Sequence, residues 1–182
     1  MREPTEREII QKDVVLKECF ECLVKTGIEG ASINSISNAT GMAPSSLYYW
    51  FRDKDEIMLD STEYGLRNVV EKLFDCVDKN IDNPEQLCDV FIEVIKKYSA
   101  SLRFVVQIAA SPKYGEQMLE ISSQLLGLYD GYACKLSKKL EIPQDKMKII
   151  VDMVVALIID AVVWNDWDKL FNDLNYIFNE LM

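Results

Sequence analysis

The stretch from Ser32 to Lys54, SINSISNATGMAPSSLYYWFRDK, decides the fold of this chain. Ser32 can cap a helix, because its hydroxyl accepts a hydrogen bond from a first-turn backbone N–H that has no other partner. Gly41 can end that helix in the left-handed conformation, and Pro44 suits the first turn of a second helix. Leu47 and Phe51, four residues apart, form the inward face of this second helix. The sequence therefore predicts two short helices joined by a tight turn.

The outward face of the second helix points to a function. At about 100° per residue, Ser45, Tyr49 and Arg52 lie opposite the inward face of Leu47 and Phe51. No aspartate or glutamate occurs between Ala31 and Arg52, although the chain holds 30 acidic residues among 182. A surface that meets phosphates requires such an acid-free window. We interpret the pair as a helix-turn-helix whose second helix enters a DNA groove.

This stretch resembles the DNA-binding module of the TetR family of transcriptional regulators. The combination G-x-x-x-x-x-L-Y-x-x-F-x-x-K, which runs here from Gly41 to Lys54, carries most of the likeness. Ala43 departs from the family pattern, because the usual serine there would cap the reading helix. The positions that follow the pattern, with the same or another residue type, are Ser32, Ile36, Ser37, Thr40, Gly41, Met42, Ala43, Leu47, Tyr48, Trp50, Phe51, Lys54 and Ile57.

The resemblance implies a set of DNA-binding residues. Base edges or thymine methyl groups would be contacted by Pro44, Ser45 and Tyr49. The DNA-binding set also includes Ser32, and the side chains that hold phosphates would be Ser46, Tyr48, Trp50 and Lys54. Lys54 stands in the first turn of the following helix, where the helix N-terminus adds partial positive charge. A solvated surface lysine is the alternative interpretation of Lys54.

Helical periodicity extends over most of the chain, and no segment alternates as a strand does. We predict an all-α protein of about nine helices. Residues 1–53 would form a three-helix helix-turn-helix DNA-binding domain, and residues 54–182 a larger helical domain for effector binding and dimerisation. Thr5 would open the first helix as part of a capping box. Gly65 is a candidate kink in the long helix that follows Lys54, and a separate short helix is predicted from Leu102 to Ala110.

Local signals predict further helix ends. Asp53 can cap the helix that begins at Lys54, and Asn83 followed by Pro84 is a helix start. Ser111 and Pro112 mark a break in the helical pattern.

The charge of the chain is the main objection to DNA binding. The net charge is −10, and residues 1–60 contain 7 Lys/Arg against 11 Asp/Glu. An acidic protein is not expected to bind nucleic acid through its overall charge. The alternative function is therefore a helical protein-interaction module that uses the Tyr48 to Trp50 face and binds no DNA.

An enzyme is not expected. The chain has no histidine, which excludes Ser-His-Asp and Cys-His catalysis and histidine-ligated metal sites. No glycine-rich phosphate loop occurs either. We therefore predict no catalytic residue, no metal and no cofactor.

Cysteines and hydropathy bear on the location of the protein. The number of cysteines is 5, and an odd number favours a reducing, cytoplasmic environment. We interpret Cys19 and Cys22 as packed core residues, with a redox or metal pair as the alternative. No run of about 18 apolar residues occurs, so no membrane span or membrane partner is predicted.

A homodimer is predicted from the segment between Pro143 and Trp164. This helix is apolar on nearly every side, and in a small domain the second buried side is most simply another subunit. The resemblance implies the same, with the last two helices of each chain in a four-helix interface. A two-fold dimer would read an inverted-repeat operator in double-stranded DNA. The predicted interface residues are Val155, Ile159, Val162, Leu174 and Phe178.

The leading hypothesis is a repressor that a small apolar effector releases from its palindromic operator. The candidate pocket residues in the second domain are Phe91, Tyr98, Phe104, Met118, Tyr129 and Trp164. An ordinary core shows the same spacing. Asp152 and Asp160 lie within the most apolar helix. Asp160 is included in the candidate site, because a carboxylate that faced the cavity would favour a cationic ligand. Solvent exposure or a place in the dimer seam is the alternative for both.

Overall fold

Helices make up the whole regular structure of the described residues. A computed structural model describes the backbone of residues 6–181, with the side chains of all but residues 6–10, Glu85 and Leu126. The predicted capping residue Thr5 lies outside this range. The elements are α1 (Glu6–Gly30), α2 (Ile33–Thr40), α3 (Pro44–Trp50), α4 (Lys54–Asn80), α5 (Pro84–Ala109), α6 (Gly115–Leu140), α7 (Gln144–Trp164), α8 (Trp167–Tyr176) and a π-helical turn (Ile177–Leu181). The predicted all-α fold is confirmed.

The described residues form eight α-helices and a π-helical turn rather than nine α-helices. The difference arises in α5, which runs unbroken from Pro84 to Ala109. A separate helix from Leu102 was predicted, but no glycine or proline occurs between Pro84 and Pro112. Nothing in the local sequence therefore stops the helix.

Gly65 marks a close contact between helices and not a kink. The α4 helix continues through it. A Cβ atom built at Gly65 would overlap the ring of Phe20 on α1. The absence of a side chain at Gly65 is thus what lets α1 pack directly on α4.

Two hydrophobic cores hold the helices together, and α4 contributes to both. The N-terminal core joins α1, α2, α3 and the first turns of α4, and includes the buried residues Leu16, Phe20, Leu23, Ile36, Leu47, Phe51, Ile57 and Met58. The C-terminal core lies among α4 to α8 and includes Val69, Leu73, Leu87, Phe91, Ile95, Met147, Ile158, Val162, Leu174 and Phe178.

The end of α5 and the start of α6 belong to the N-terminal core. Phe104 and Ile108 of α5 are buried there, together with Tyr114 and with Met118 of α6. Phe104 meets the Phe20 ring edge to face, with 6.1 Å between ring centroids. The connection between α5 and α6 therefore packs against the helix-turn-helix, although it lies some fifty residues further along the chain.

Cys19 and Cys22 are buried free thiols in the N-terminal core. Burial raises the pKa of Cys19 to about 12, so its thiol is protonated and unreactive at neutral pH. Among residues 6–181, no helix combines the length and the apolar character that crossing a membrane requires.

Candidate nucleic-acid interface and ligand cavity

Capping residues fix both ends of α2. The Ser32 hydroxyl accepts a hydrogen bond from the Ser35 backbone N–H at 3.0 Å, and the Ser35 hydroxyl accepts one from the Ser32 N–H at 2.8 Å. Gly41 ends the helix with a φ of 66°, a conformation that costs glycine little. The predicted capping role of Ser32 is thus confirmed.

Hydroxyl groups also stiffen the turn between α2 and α3. Thr40 Oγ1 donates to the Ile36 carbonyl at 2.9 Å and accepts from the Met42 N–H at 3.3 Å. Ser37 Oγ donates to the Met42 carbonyl. These bonds link the last turn of α2 to the turn that follows, and so hold α3 at a fixed angle to α2.

The short helix α3 buries one side and exposes the other. Leu47 and Phe51 are buried in the N-terminal core, as predicted. Tyr49 is 73% exposed and Tyr48 is 51% exposed. Trp50 is half-buried and meets the Tyr49 ring edge to face, with centroids 5.1 Å apart. Pro44, Ser45 and Ser46 are exposed at the start of the helix, and no side chain caps it at Ala43.

Lys54, the predicted phosphate contact, already has a hydrogen-bond partner inside the molecule. Its Nζ donates a hydrogen bond to the carbonyl of Ala31 at 3.0 Å, which ties the start of α4 to the connection between α1 and α2. An ammonium group has three donors, so two remain for other partners. Asp53 caps α4 and accepts a hydrogen bond from the Glu56 N–H at 2.9 Å, as its sequence position indicated.

Arg52 is a basic group beside α3 that the predicted DNA-binding set omitted. Its side chain is 80% exposed and pairs with Asp53, with Nε 3.0 Å from Oδ2. The Glu56 N–H and Arg52 both hydrogen-bond to Asp53 and hold the pKa of that carboxyl below its ordinary value. The outward position of Arg52 on the helical projection was the signal that could have included it.

A polar contact joins the start of α4 to the connection between α5 and α6. The Asp55 carboxylate accepts hydrogen bonds from Lys113 Nζ at 2.6 Å and from the Tyr114 hydroxyl at 2.8 Å. These two bonds, first that of Lys113 and then that of Tyr114, lower the pKa of Asp55. We call this set of three residues the Asp55 latch. Sequence reasoning missed it, because Asp55 and its partners are far apart in the chain.

Two apolar cavities lie in the second half of the molecule. The first cavity, about 70 Å³, is enclosed by residues that include Phe91, Tyr132, Met147 and Phe178. The second cavity, about 300 Å³, lies between α4, α5, α6 and α7 and is lined by residues that include Leu102, Val106, Leu125 and Ile158. The side chains common to both are Val70, Leu73, Tyr129 and Val155.

The predicted effector residues are spread over several environments. Phe91 lines the first cavity, and Tyr129 lines both. Tyr98 packs half-buried against the C-terminal core. Phe104 and Met118 are buried in the N-terminal core, because their faces of α5 and α6 turn towards α1. Trp164 is 75% exposed.

The two aspartates face away from the cavities. Asp160 pairs with Lys169, with 2.6 Å between Oδ2 and Nζ, and Asp152 is exposed. Neither carboxylate lines the first or the second cavity. Neither aspartate is therefore placed to select a cationic ligand in these cavities. Asp152 is exposed and Asp160 is half-buried beside α8, so solvent exposure and a place in the dimer seam are the interpretations that remain.

Most of the predicted dimer residues are used inside the single chain. Val162, Leu174 and Phe178 are buried in the C-terminal core, so they offer no surface to a second copy. Val155 lines both cavities. Ile159, which is 45% exposed, is the one residue of the predicted set that reaches the surface substantially. The five residues lie on α7, on α8 and in the π-helical turn, and the periodicity did not say which side of these elements the chain itself covers.

No metal site emerges from the residues described. Within residues 6–181, no group of three or more Cys, Asp or Glu side chains is arranged to hold a metal ion.

Comparison with known proteins defines the class of protein. Residues 15–60 match the family model "Bacterial regulatory proteins, tetR family". This segment contains most of α1, all of α2 and α3, and the start of α4. The match covers the helix-turn-helix and the helices that support it. None of the curated proteins compared with the chain matches it in sequence.

Solved structures extend the likeness to the whole chain. A transcriptional regulator of the TerR/AcrR family from Aquifex aeolicus VF5 superposes with a TM-score of 0.62 at 16% identity, covering 94% of this chain and 99% of the other. The transcriptional regulator FadR from Bacillus subtilis, in complex with stearoyl-CoA, gives 0.60 at 16% identity and covers 93% and 98%. A TetR-like regulator from Rhodococcus sp. RHA1 gives 0.58 at 15% identity and covers 97% and 96%.

The resemblance to the TetR family is thereby confirmed. The chain carries that family's N-terminal module and has, over nearly its whole length, the fold of TetR-family transcriptional regulators.

Proposed function

We propose that this protein is a homodimeric transcriptional regulator of the TetR type, and that a small apolar molecule controls its binding to DNA. Residues 1–53 would bind DNA, and residues 54–182 would bind the effector and the second subunit. The observation that carries the proposal is the exposed face of α3. It presents Ser45, Tyr48 and Tyr49 on a helix that Leu47 and Phe51 anchor in the N-terminal core, in a stretch without acidic residues.

Ion pairs reduce the charge objection near α3. Asp53 pairs with Arg52 at 3.0 Å, Asp55 with Lys113 at 2.6 Å and Asp60 with Lys12 at 3.1 Å. The acids at the start of α4 are thus largely neutralised by neighbouring cations, so the local field is less negative than a count of residues suggests. Phosphate binding then depends on the few donors at α3 and the start of α4, and we expect weak non-specific binding that falls with salt.

The surface available to a second copy is the outward side of α7 with the adjoining part of α8. Ile149, Met153, Val163 and Trp164 are exposed on α7, and Tyr176 is exposed on α8. Clustered exposed apolar side chains on two neighbouring helices are typical of a protein interface. We propose this surface, which we call the α7–α8 face, for the two-fold dimer. This face takes the place of the predicted interface residues that are buried in the chain's own core.

The two cavities supply a site for an apolar effector. The second, at about 300 Å³, is at the lower end of the range for small-molecule sites. The structure of FadR from Bacillus subtilis contains stearoyl-CoA, and a mostly aliphatic molecule also suits the apolar lining found here. Phe91 and Tyr129 are the members of the predicted set that we retain as effector residues.

The α5 helix can transmit ligand binding to the DNA-binding domain. Leu102, Val106 and Ala109 line the second cavity, whereas Phe104 and Ile108, on another side of the same turns, are buried in the N-terminal core. A ligand that displaces the cavity wall would therefore move side chains that support α1. The Asp55 latch passes the same displacement to the start of α4. We propose that the two DNA-binding domains shift apart in this way and leave the operator.

Selection of DNA from a random pool by the purified protein tests the proposal. We expect an enriched inverted repeat with two similar half-sites, because a two-fold dimer presents α3 twice. Absence of any enriched sequence would favour the alternative function, a protein-interaction module without DNA binding.

A further inference from the structure

Tyr129 differs from its neighbour Tyr132 in how its hydroxyl is satisfied. The Tyr132 hydroxyl lies 3.1 Å from the Phe74 carbonyl and 3.3 Å from Asp78 Oδ1. The Tyr129 ring packs edge to face on Phe74, with 5.6 Å between centroids, but its hydroxyl forms no hydrogen bond with a described residue. Burial alone raises the pKa of Tyr129. The Tyr129 hydroxyl can therefore donate to a ligand acceptor without losing a hydrogen bond within the protein.

The position of Tyr129 joins the two cavities. Tyr129, Val70, Leu73 and Val155 line both, so these side chains are the wall between them. Rotation of these side chains would connect the two cavities. One long molecule can therefore occupy both cavities, with its middle beside the Tyr129 hydroxyl.

The lining offers little to an ionised group. Apart from the hydroxyls of Tyr129, Tyr132 and Ser122, the described residues that line the two cavities have apolar side chains. The guanidinium of Arg103 is close to Val162, which lines the second cavity, but it already donates to the Val162 carbonyl, with Nη2 3.0 Å from the oxygen. A charge placed among these side chains would lose its hydration without gaining a counter-ion.

We propose that the two cavities form one site for an elongated, uncharged, mainly aliphatic molecule whose hydrogen-bond acceptor, a carbonyl or ether oxygen, binds the Tyr129 hydroxyl. Tyr129 thereby determines specificity, because the site recognises the position of a single polar atom along an apolar chain. This inference rests on the proposed function only in taking these cavities as the effector site.

Binding of straight-chain probes of matched length tests the inference. The probes are a methyl ketone, the parent alkane, the carboxylate and stearoyl-CoA, and affinity is measured by displacement of a fluorescent apolar dye from the full-length protein. We expect the ketone to bind roughly 3- to 10-fold more tightly than the alkane, as one hydrogen bond allows. We expect the carboxylate and stearoyl-CoA to bind more weakly than the ketone.

Two tyrosine variants separate recognition from packing. Tyr129→Phe should abolish the ketone's advantage over the alkane and leave alkane affinity unchanged. Tyr132→Phe removes a hydroxyl that the protein already satisfies, so the variant should keep the advantage even if it is less stable. Equal ketone-to-alkane ratios in the wild type and Tyr129→Phe would overturn the inference, and so would tighter binding of stearoyl-CoA or the carboxylate, or no binding of any probe.

The DNA-binding proposal fails or succeeds separately. The probe measurements contain no DNA, so loss of the ketone's advantage leaves selection of an operator unaffected. Conversely, a chain that binds the ketone through Tyr129 and selects no DNA sequence would retain this site and lose the proposed function.

Discussion

Tyr48 and Tyr49 are neighbouring residues on α3 whose side chains differ in exposure to solvent. Tyr49 is 73% exposed, and its ring meets the Trp50 ring edge to face. Tyr48 lies on the flank of the helix, towards the expected path of the phosphates. The pair thus offers a matched test at the residue scale, because both changes remove the same side chain from the same short helix.

Replacing Tyr49 by alanine should weaken binding to the selected operator by about 1–3 kcal/mol and spare binding to random DNA, since a base contact carries sequence information. Replacing Tyr48 by alanine should weaken both alike, as a backbone contact does. Fluorescence anisotropy on the two DNAs measures both effects. Equal losses of Tyr49→Ala on operator and random DNA would remove the base-reading assignment.

Gly65 allows a second prediction about single residues. Gly65→Ala should lower the free energy of unfolding by about 1–3 kcal/mol, because the added methyl group meets the Phe20 ring and overpacks the contact between α1 and α4. Gly131→Ala on α6 is the control, since a Cβ there has open space, and it should raise stability by about 0.5–1 kcal/mol. Urea unfolding gives the free energy of unfolding of the wild type and of both variants. A Gly65→Ala variant that is more stable than the wild type would contradict the close packing of α1 on α4.

Individual roles were harder to predict than residue faces. The sequence correctly placed Leu47 and Phe51 inside and Tyr49 outside. The four-residue spacing of these two large apolar residues leaves a helix as short as α3 only one face to bury. It could not show that Lys54 donates to Ala31 or that Asp160 pairs with Lys169. Such contacts depend on the relative positions of elements, which local periodicity does not determine.

At the scale of elements, the proposed regulation depends most on the connection between α5 and α6. It holds Tyr114 in the N-terminal core and Lys113 on Asp55, while the adjoining turns of α5 line the second cavity. The sequence marked a break at Ser111 and Pro112 but gave no sign of where the connection would dock. Helix ends, in contrast, were largely predictable from caps such as Asp53 and Asn83.

The Asp55 latch should make stability depend on pH in acid. Lys113 and Tyr114 lower the pKa of Asp55 in the folded state, so its contribution is fully present above the unfolded pKa of about 3.9 and is lost as the pH falls through the lower folded value. Asp55→Asn should therefore be less stable than the wild type near neutral pH, and the difference should shrink below about pH 4.

Urea unfolding of the wild type and Asp55→Asn at a series of pH values measures this dependence. Asp152→Asn is the matched control, because Asp152 is exposed on α7 and should show little difference at any pH. A gap between wild type and Asp55→Asn that stays constant down to about pH 3 would exclude the ionised latch.

At the scale of the whole molecule, the α7–α8 face is the surface that the chain leaves uncovered. The apolar residues of α7 occur on more than one side of the helix, but the sequence could not separate the side that the C-terminal core covers, which holds Val162, from the outward side, which holds Met153 and Val163. Only the positions of α4, α5 and α8 make that distinction.

Met153→Glu and Val163→Glu should each raise the dimer dissociation constant about tenfold or more, because a carboxylate would lose hydration in an apolar contact. Leu119→Glu, at an exposed position on α6 outside this face, should leave it unchanged. Sedimentation velocity over a range of concentrations gives the constants. Unaltered dimers of both variants would place the interface elsewhere.

The most direct test of DNA reading by a two-fold dimer is the binding of the wild-type protein to its selected palindrome and to the same duplex with one half-site scrambled. Sedimentation gives the number of protomers per duplex, and anisotropy gives the affinity. We expect two protomers on the palindrome, and a loss of affinity of roughly tenfold or more when one half-site is scrambled, since each mismatched base pair costs about 1–3 kcal/mol. Equal affinity for the two duplexes, or a single protomer bound to the palindrome, would contradict it.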